Sequence, residues 1–528
     1  MTAQEIRSLT SPERAAMKRA SLLKFPVIGL IVVLALIASA GAATGSPTCE
    51  PVNPQILRCV DTSLAPGTVW QIFPSDLDAA DPLYGLVDAD NIQLAIDLAM
   101  PGDTLILKAG TFVFARESVP DFDIQTASGS FRFYEDWLDP WSAGLLASPI
   151  HQSININKEG LTLTGETGAD GEPLTFITSP LDLYEADLDY WAGYNGVFVI
   201  NANHVSLANL QIEQFVMPVM AFGAGFDIHN NRFIDCGFPI ILNPDNWLTY
   251  PNWPNTNGAI KSYFRNNRLI NNAQAPFVTG SEIVVEDNYM EFYLLGLLVS
   301  GWGEPFPNNR GLAQNNIIQG NELVCTPHYW AILRVGVAIW NYANNLVNTQ
   351  VIDNTIQNCG WGINSTDQMP SEDWNNIGTV ISGNRLINIR RNAINLYSYF
   401  DPDGVTGSIV TNNYLENVGW SGTVPGGVWI EVGVKQSKIS GNDYTQSPMV
   451  GWGLGAGLVW LDPGTQSNHV KEYLFPPETT LCDQILDLGS NSVVGYGVCL
   501  HNPAQAVHLQ DIFAKSKEGN GLFSPLLR

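Results

Sequence analysis

Eight short segments of this chain share one hydrophobic and polar pattern: IHNNRF, FRNNRL, VEDNYM, IQGNEL, VIDNTI, ISGNRL, VTNNYL and ISGNDY. Each has an asparagine in register: Asn231, Asn267, Asn288, Asn321, Asn354, Asn384, Asn413 and Asn442. Three residues before it stands an apolar residue (Ile228, Phe264, Val285, Ile318, Val351, Ile381, Val410, Ile439), and two residues after it another (Phe233, Leu269, Met290, Leu323, Ile356, Leu386, Leu415, Tyr444). Alternation of period two on both sides predicts a short strand, a corner and a second short strand. The corner amide can satisfy the backbone at the bend and bond its counterpart one coil away.

Successive asparagines are 36, 21, 33, 33, 30, 29 and 29 residues apart. The shortest spacing is the bare coil, and the excess elsewhere is loop that leaves the stack and returns, which solenoids tolerate. Leu207 with Ile212 marks a further coil with Leu210 in the asparagine place, and GLTLTG around Leu163 marks one before it. The predicted fold is all-β, a right-handed parallel β-helix solenoid of about ten three-sided coils.

Upstream of the repeats runs DNIQLAIDLAMPGDTLILKAGTF, from Asp90 to Phe112. It resembles the opening segment of the pectate-lyase-like β-helix superfamily: an amphipathic helix, Pro-Gly-Asp, a strand and Gly-Thr. The resemblance implies an N-terminal capping helix whose face is Ile92, Leu94, Ala95, Ile96 and Leu98, with Asp90 as its cap. It is specific for fold and weak for activity, because the superfamily holds lyases, hydrolases, epimerases and noncatalytic surface proteins. The asparagine pattern stops at Val450. The expected organisation is 1–40 a signal peptide or N-terminal anchor, 41–85 a lead-in, 86–450 the β-helix with loop insertions, and 451–528 a C-terminal cap and tail.

The first 40 residues carry Arg7, Arg14, Lys18, Arg19 and Lys24, then an apolar run from Phe25 to Ala38, then Ser39 and Ala40. That layout fits a secretory signal, and the protein is expected to be secreted or periplasmic; a membrane is a partner only if the segment stays uncleaved. A net charge of −26 excludes nucleic acid as a partner. Cys49 with Cys59, and Cys482 with Cys499, are candidate disulfides in an oxidising compartment. Cys236, Cys325 and Cys359 lie inside the repeats without metal-ligand spacing and are expected to be small buried apolar residues.

The segments between corners are rich in aromatic residues: Trp247, Tyr250, Trp253, Trp302, Phe306, Tyr329, Trp330, Trp361, Trp374, Tyr397, Tyr399, Phe400 and Trp420. Placed in loops, they either pack as satellite cores or line a groove in which sugar rings stack. The register puts Arg232 beside Arg268 and His229 beside Arg265, with Lys261 and Tyr289 nearby. Such stacked cations need an anion between them. Glu286 and Glu322 can supply it; so can the carboxylate of an acidic sugar.

β-Elimination from a uronic acid needs that carboxylate neutralised and a base beside the adjacent proton. Lys261, Arg265 and His229 are the candidate catalytic bases, and Arg232, Arg268, Tyr289, Trp247, Trp253 and Trp302 the candidate substrate-binding residues. The superfamily resemblance implies basic residues in this role. Hydrolysis would instead need two carboxylates, for which Asp401 with Asp403 and Glu286 with Asp287 are candidates. No metal or cofactor is expected; calcium is the one candidate ion, among Asp182, Glu185, Asp187 and Asp189. The expected function is a polysaccharide-active protein, a lyase-like enzyme on an acidic extracellular polysaccharide, the alternative being a noncatalytic glycan-binding, adhesion or structural surface protein.

Overall fold

The computed structural model describes residues 48–495, apart from 61–66, 78–80, 82, 84–86, 115–122, 127–128, 133–151, 179–195, 216–217, 238–239, 243–259, 302–312, 328–333, 342–344, 368–374, 399–403, 420–426, 432, 448–457 and 477–484. Three sheets wind around one apolar core. The first takes the strand before each corner, such as Asp227–His229, Ser262–Arg265 and Ile283–Glu286. The second takes the strand after it, such as Arg232–Ile234, Arg268–Gln274 and Tyr289–Leu295. The third is built from strands the repeat pattern does not mark, among them Phe277–Val278, Leu297–Gly301, Val335–Asn341 and Trp361–Asp367.

Neighbours in each ladder are one coil apart and parallel: Ile228 lies beside Phe264, Phe264 beside Val285, and Val285 beside Ile318. The chain is a right-handed parallel β-helix, the hand nearly all parallel crossovers take. All sixteen apolar positions of the repeat point inward, each no more than 1% exposed. Among the described residues the second sheet has eleven strands and the third twelve, slightly more coils than the repeat alone delimits.

The asparagines form a continuous ladder. Asn231 donates its backbone N–H to Asn267 Oδ1 at 2.9 Å and its Nδ2 to the Leu207 carbonyl at 2.9 Å. The arrangement repeats through Asn267, Asn288, Asn321, Asn354, Asn384 and Asn413 to Asn442. The residue before each is left-handed, from Asn266 at φ 54° to Gly441 at φ 70°. This explains why only Asn, Asp or Gly stands there, the residues that adopt that conformation most readily.

At the N-terminal end, Thr48–Asn53 and Ile56–Val60 form an antiparallel hairpin in which Cys49 opposes Cys59 and is bonded to it, as expected. Thr68–Ile72 then joins Thr104–Leu107 in the first sheet. The helix is Val87–Leu98, lying against Thr68–Ile72, Gly110–Val113 and Gln152–Ile156 at that end of the stack. Its buried face is Ala89, Ile92, Ala95 and Ile96; Leu94 and Leu98 are 39% and 47% exposed, because helical periodicity turns them away from that face. The helix starts before Asp90. It is Asp88 that is buried there, accepting the Ser75 and Val113 backbone N–H groups at 2.7 and 2.8 Å. The Pro-Gly-Asp aspartate, Asp103, takes the Trp70 indole N–H at 3.0 Å and the backbone N–H groups of Thr68 and Met100.

The stack also continues past 450. Val459–Leu461 and Ile485–Asp487 extend the third sheet, and Gln466–Glu472 and Ser490–Gly495 extend the first. The repeat is not legible there because Glu472 replaces the next asparagine, accepting both the backbone N–H and Nδ2 of Asn442.

Cys325 and Cys359 are buried but not free. Cys325 ends a second-sheet strand and Cys359 follows the strand on the next coil, which brings their Cα atoms to 5.0 Å and joins them in a disulfide. Among the described residues Cys236 is the free thiol; it is buried, and burial pushes its pKa up to about 12. Cys482, Cys499 and the N-terminal basic and apolar segment lie outside the described residues.

Candidate functional site

The register places the basic residues as expected, and the corner divides them. His229 and Arg265 are neighbours on the first sheet; Arg232 and Arg268 are neighbours on the second. Arg265 clamps Asp227 through Nε at 2.9 Å and a terminal nitrogen at 2.7 Å. The bond to Asp227 raises the pKa of Arg265, with Glu286 adding at longer range. Arg232 pairs with Glu172 at 2.5 Å. The expected counter-ions are engaged with amides instead: Glu286 accepts from Gln319 at 2.7 Å and Glu322 from Gln357 at 3.0 Å. Asp227 lies two residues before His229, and Glu172 two coils upstream.

His229 is half-buried, with Nε2 3.4 Å from Ser206 Oγ. Burial lowers its pKa, Asp227 opposes that shift and Arg265 reinforces it, so the imidazole is neutral near neutral pH. Lys261 is exposed and immediately precedes the strand Ser262–Arg265. The Arg268 guanidinium lies 5.7 Å over the Tyr289 ring, and burial, then Glu291, raises the pKa of Tyr289. Asp287 supplies a left-handed corner at φ 55°. Trp247, Trp253, Trp302, Asp401, Asp403 and the acidic run from Asp182 to Asp189 lie outside the described residues.

Trp361 and Tyr397 are not in loops but on third-sheet strands, Trp361–Asp367 and Ile394–Ser398. Further along the same sheet is a second constellation. Ile430 and Leu461 are inward partners on adjacent coils, so Trp429 and Trp460 before them, and Glu431 and Asp462 after them, stack in pairs on the outer face. Continuing the ladder, the Glu431 N–H bonds the Leu396 carbonyl and the Asp462 N–H bonds that of Ile430. Outward positions are normally solvated, yet Glu431 is only 8% and Asp462 7% exposed. The Trp429 indole N–H donates to Asp462 Oδ1 at 3.1 Å, and Asn395 Nδ2 donates to Glu431 Oε1 at 2.9 Å. Toward the N-terminal end Asn364 lies beside Asn395 on the preceding coil, and Trp340, one coil before that, donates to Asn364 at 3.3 Å. Asn395 Oδ1 is buried without a hydrogen-bond partner among the described residues. Trp460, Leu486, Trp429 and Leu488 form an apolar patch separate from the core.

This pair of carboxylates carried a signal in the chain. VWIE at 428–431 and VWLD at 459–462 repeat one pattern, a coil apart, that no asparagine marks.

No known family profile matches the chain, and no curated protein matches it. Solved structures do. The catalytic unit of a thermostable GH87 α-1,3-glucanase from Streptomyces thermodiastaticus is 12% identical over 78% of this chain and 68% of that one, with a TM-score of 0.42. The A-module of a mannuronan C-5 epimerase from Azotobacter vinelandii is 11% identical over 78% and 96%, with a TM-score of 0.33. A tailspike protein of E. coli bacteriophage HK620, solved with a pentasaccharide, is 12% identical over 81% and 76%, with a TM-score of 0.37. At these values the likeness concerns the winding of the chain and carries nothing about its chemistry.

Proposed function

We propose that this is an exported polysaccharide-active protein that holds its glycan along the outer face of the third sheet. The carrying observation is the stacked pair Glu431 and Asp462 beside the stacked pair Trp429 and Trp460. Indole faces are the usual platform for sugar rings, and buried polar groups beside them fix orientation. Coils are spaced by about 4.8 Å, close to the roughly 5 Å that separates acid and nucleophile in retaining glycosidases. Glycosidic cleavage is therefore the chemistry assigned to this pair. Two disulfides suit an oxidising compartment, and the charge of −26 disfavours nucleic acid.

A second reading, a lyase on an acidic glycan, rests on His229. Its depressed pKa leaves it neutral and able to accept a proton, with Lys261 as a further base; Arg265, clamped by Asp227 with its pKa raised, joins Arg232 and Arg268 as a neutraliser. The two chemistries leave different products. Incubation with neutral and uronate polymers is expected to release reducing ends without unsaturation, and Glu431→Gln or Asp462→Asn to lower that rate by at least about a hundredfold. Unsaturated ends absorbing in the ultraviolet, lost in His229→Ala with Lys261→Ala, would transfer the activity to the basic corner. Binding without any product would make the protein a noncatalytic glycan binder, and binding to no glycan at all would overturn the proposal.

A further inference from the structure

One outward column of the third sheet runs Leu298, Ala338, Asn364, Asn395, Trp429 and Trp460, a residue per coil. Two amides thus stand where an apolar column turns aromatic, and each is oriented by a different neighbour. Asn364 takes the Trp340 indole N–H on Oδ1 at 3.3 Å, from the coil before it. An indole N–H only donates, so the oxygen belongs there and Nδ2 is turned away. Asn395 gives Nδ2 to Glu431 Oε1 at 2.9 Å, on the coil after it. A carboxylate only accepts, so here Oδ1 is the atom turned away.

The two remaining amide atoms, Nδ2 of Asn364 and Oδ1 of Asn395, face the space between their coils. Neighbouring amides elsewhere in the chain close on each other: Asn388 Nδ2 meets Asn358 Oδ1 at 3.3 Å, and Asn417 Nδ2 meets Asn388 Oδ1 at 2.8 Å. Asn364 and Asn395 do not, since Trp340 and Glu431 draw them in opposite directions. Asn395 is only 5% exposed, and its Oδ1 is buried with no donor among the described residues. Asn364 is half-buried, so the space opens outward on its side. A buried acceptor that has lost water without gaining a donor is unfavourable, and a ligand that supplies the donor recovers that loss.

We propose that this pair is a subsite for one hydroxyl of an uncharged sugar unit, whose oxygen accepts from Asn364 Nδ2 and whose hydrogen goes to Asn395 Oδ1. The inference rests on the glycan reading of the third sheet and names what the glycan presents beside Glu431. One oxygen making two bonds of about 2.8 Å spans up to about 5.6 Å, which covers coils spaced by about 4.8 Å. A carboxylate has no hydrogen to give Asn395 and would meet the Glu431 charge; an ammonium has no lone pair for Asn364. A hydroxyl is donor and acceptor at one atom and serves both amides. A sugar lacking it leaves both unpaired, which is how such a site discriminates.

The test is calorimetric binding of the full chain to a β-1,4-linked glucohexaose, an α-1,3-linked glucohexaose and a hexagalacturonate. At least one neutral hexasaccharide is expected to bind. Asn364→Asp is expected to weaken that binding about tenfold or more, because the carboxylate keeps the acceptor for Trp340 and replaces the free donor by a second acceptor. Monodeoxy forms of the same hexasaccharide repeat the test on the unaltered chain, so it stands even where the variant does not fold. Removal of one particular hydroxyl is expected to lower affinity by a similar factor, and to lower it no further in Asn364→Asp. Neutral binding unchanged in Asn364→Asp, or deoxygenation losses that are the same in both chains, would mean that the space holds water alone and overturns the subsite; the glycan reading then survives if Trp429→Ala still weakens binding. Binding of hexagalacturonate and of neither neutral ligand overturns the uncharged assignment and keeps the glycan reading. Failure of all three to bind sinks the glycan reading together with the subsite.

Discussion

The asparagine ladder is directional. Every rung gives its backbone N–H to the asparagine oxygen on the next coil toward the C-terminal end, from Asn231 to Asn442, so the last rung needs another acceptor. Glu472 fills that place, one oxygen taking Asn442 Nδ2 and the other its backbone N–H at 2.9 Å, with the Tyr444 hydroxyl 3.3 Å away. Burial pushes the Glu472 carboxyl up to about 7 from its ordinary 4.5, more than the hydrogen bonds pull it down. Between those values the folded chain holds a proton that the unfolded chain has lost. Stability is therefore highest below the lower value and falls as pH rises through the upper one, by roughly 3 kcal/mol in all. Replacing the carboxyl by an amide removes the titration. Urea unfolding is expected to show wild-type stability, measured relative to Glu472→Gln, falling by about that amount from about pH 5 to about pH 8. A gap that stays constant would mean that Glu472 titrates normally.

Among the elements, the two strands flanking each corner were legible because the corner asparagine keys their register. The third-sheet strands were not, since loops of varying length separate them from that marker. Trp361 and Tyr397, which lie on such strands, read as loop aromatics. The basic patch was legible as a register but its counter-ions were not: Glu286 and Glu322 were expected there, whereas Glu172 takes Arg232 and Asp227 takes Arg265, because pairing in a solenoid acts across coils. The same across-coil logic joins Cys325 to Cys359, which looked like isolated core residues. That bridge spans a sequence separation of 34 and the N-terminal one spans 10. On loop-closure entropy the longer contributes about 4 kcal/mol and the shorter about 3. Denaturant unfolding is expected to rank Cys325→Ala with Cys359→Ala below Cys49→Ala with Cys59→Ala. The reverse order would mean that the reduced coils hold together without the bridge.

At the scale of the whole molecule, a stack of coils ends in open sheet edges, and an open edge invites pairing with another chain. The N-terminal end has the helix Val87–Leu98 against the first strands of the second and third sheets, and the hairpin bonded through Cys49 and Cys59 beside the first. Toward the other end the described strands of the first sheet finish at Ser490–Gly495 and those of the third at Ile485–Asp487. Ending the chain after Ser447 would remove these, expose the edges of Lys438–Ser440 and Val428–Ile430, and strip Asn442 of the carboxylate that receives its donors. The inward face of the last coil, including Ile439 and Tyr444, would also meet solvent. The intact chain, with its charge of −26, resists association, but uncovered edges offer backbone pairing that charge opposes only at long range. The shortened chain is accordingly expected to form oligomers by light scattering under conditions where the full chain does not, and increasingly so as salt screens the charge. A shortened chain that stays monomeric and unfolds at the same urea concentration would show that residues beyond 447 contribute nothing to closing the stack.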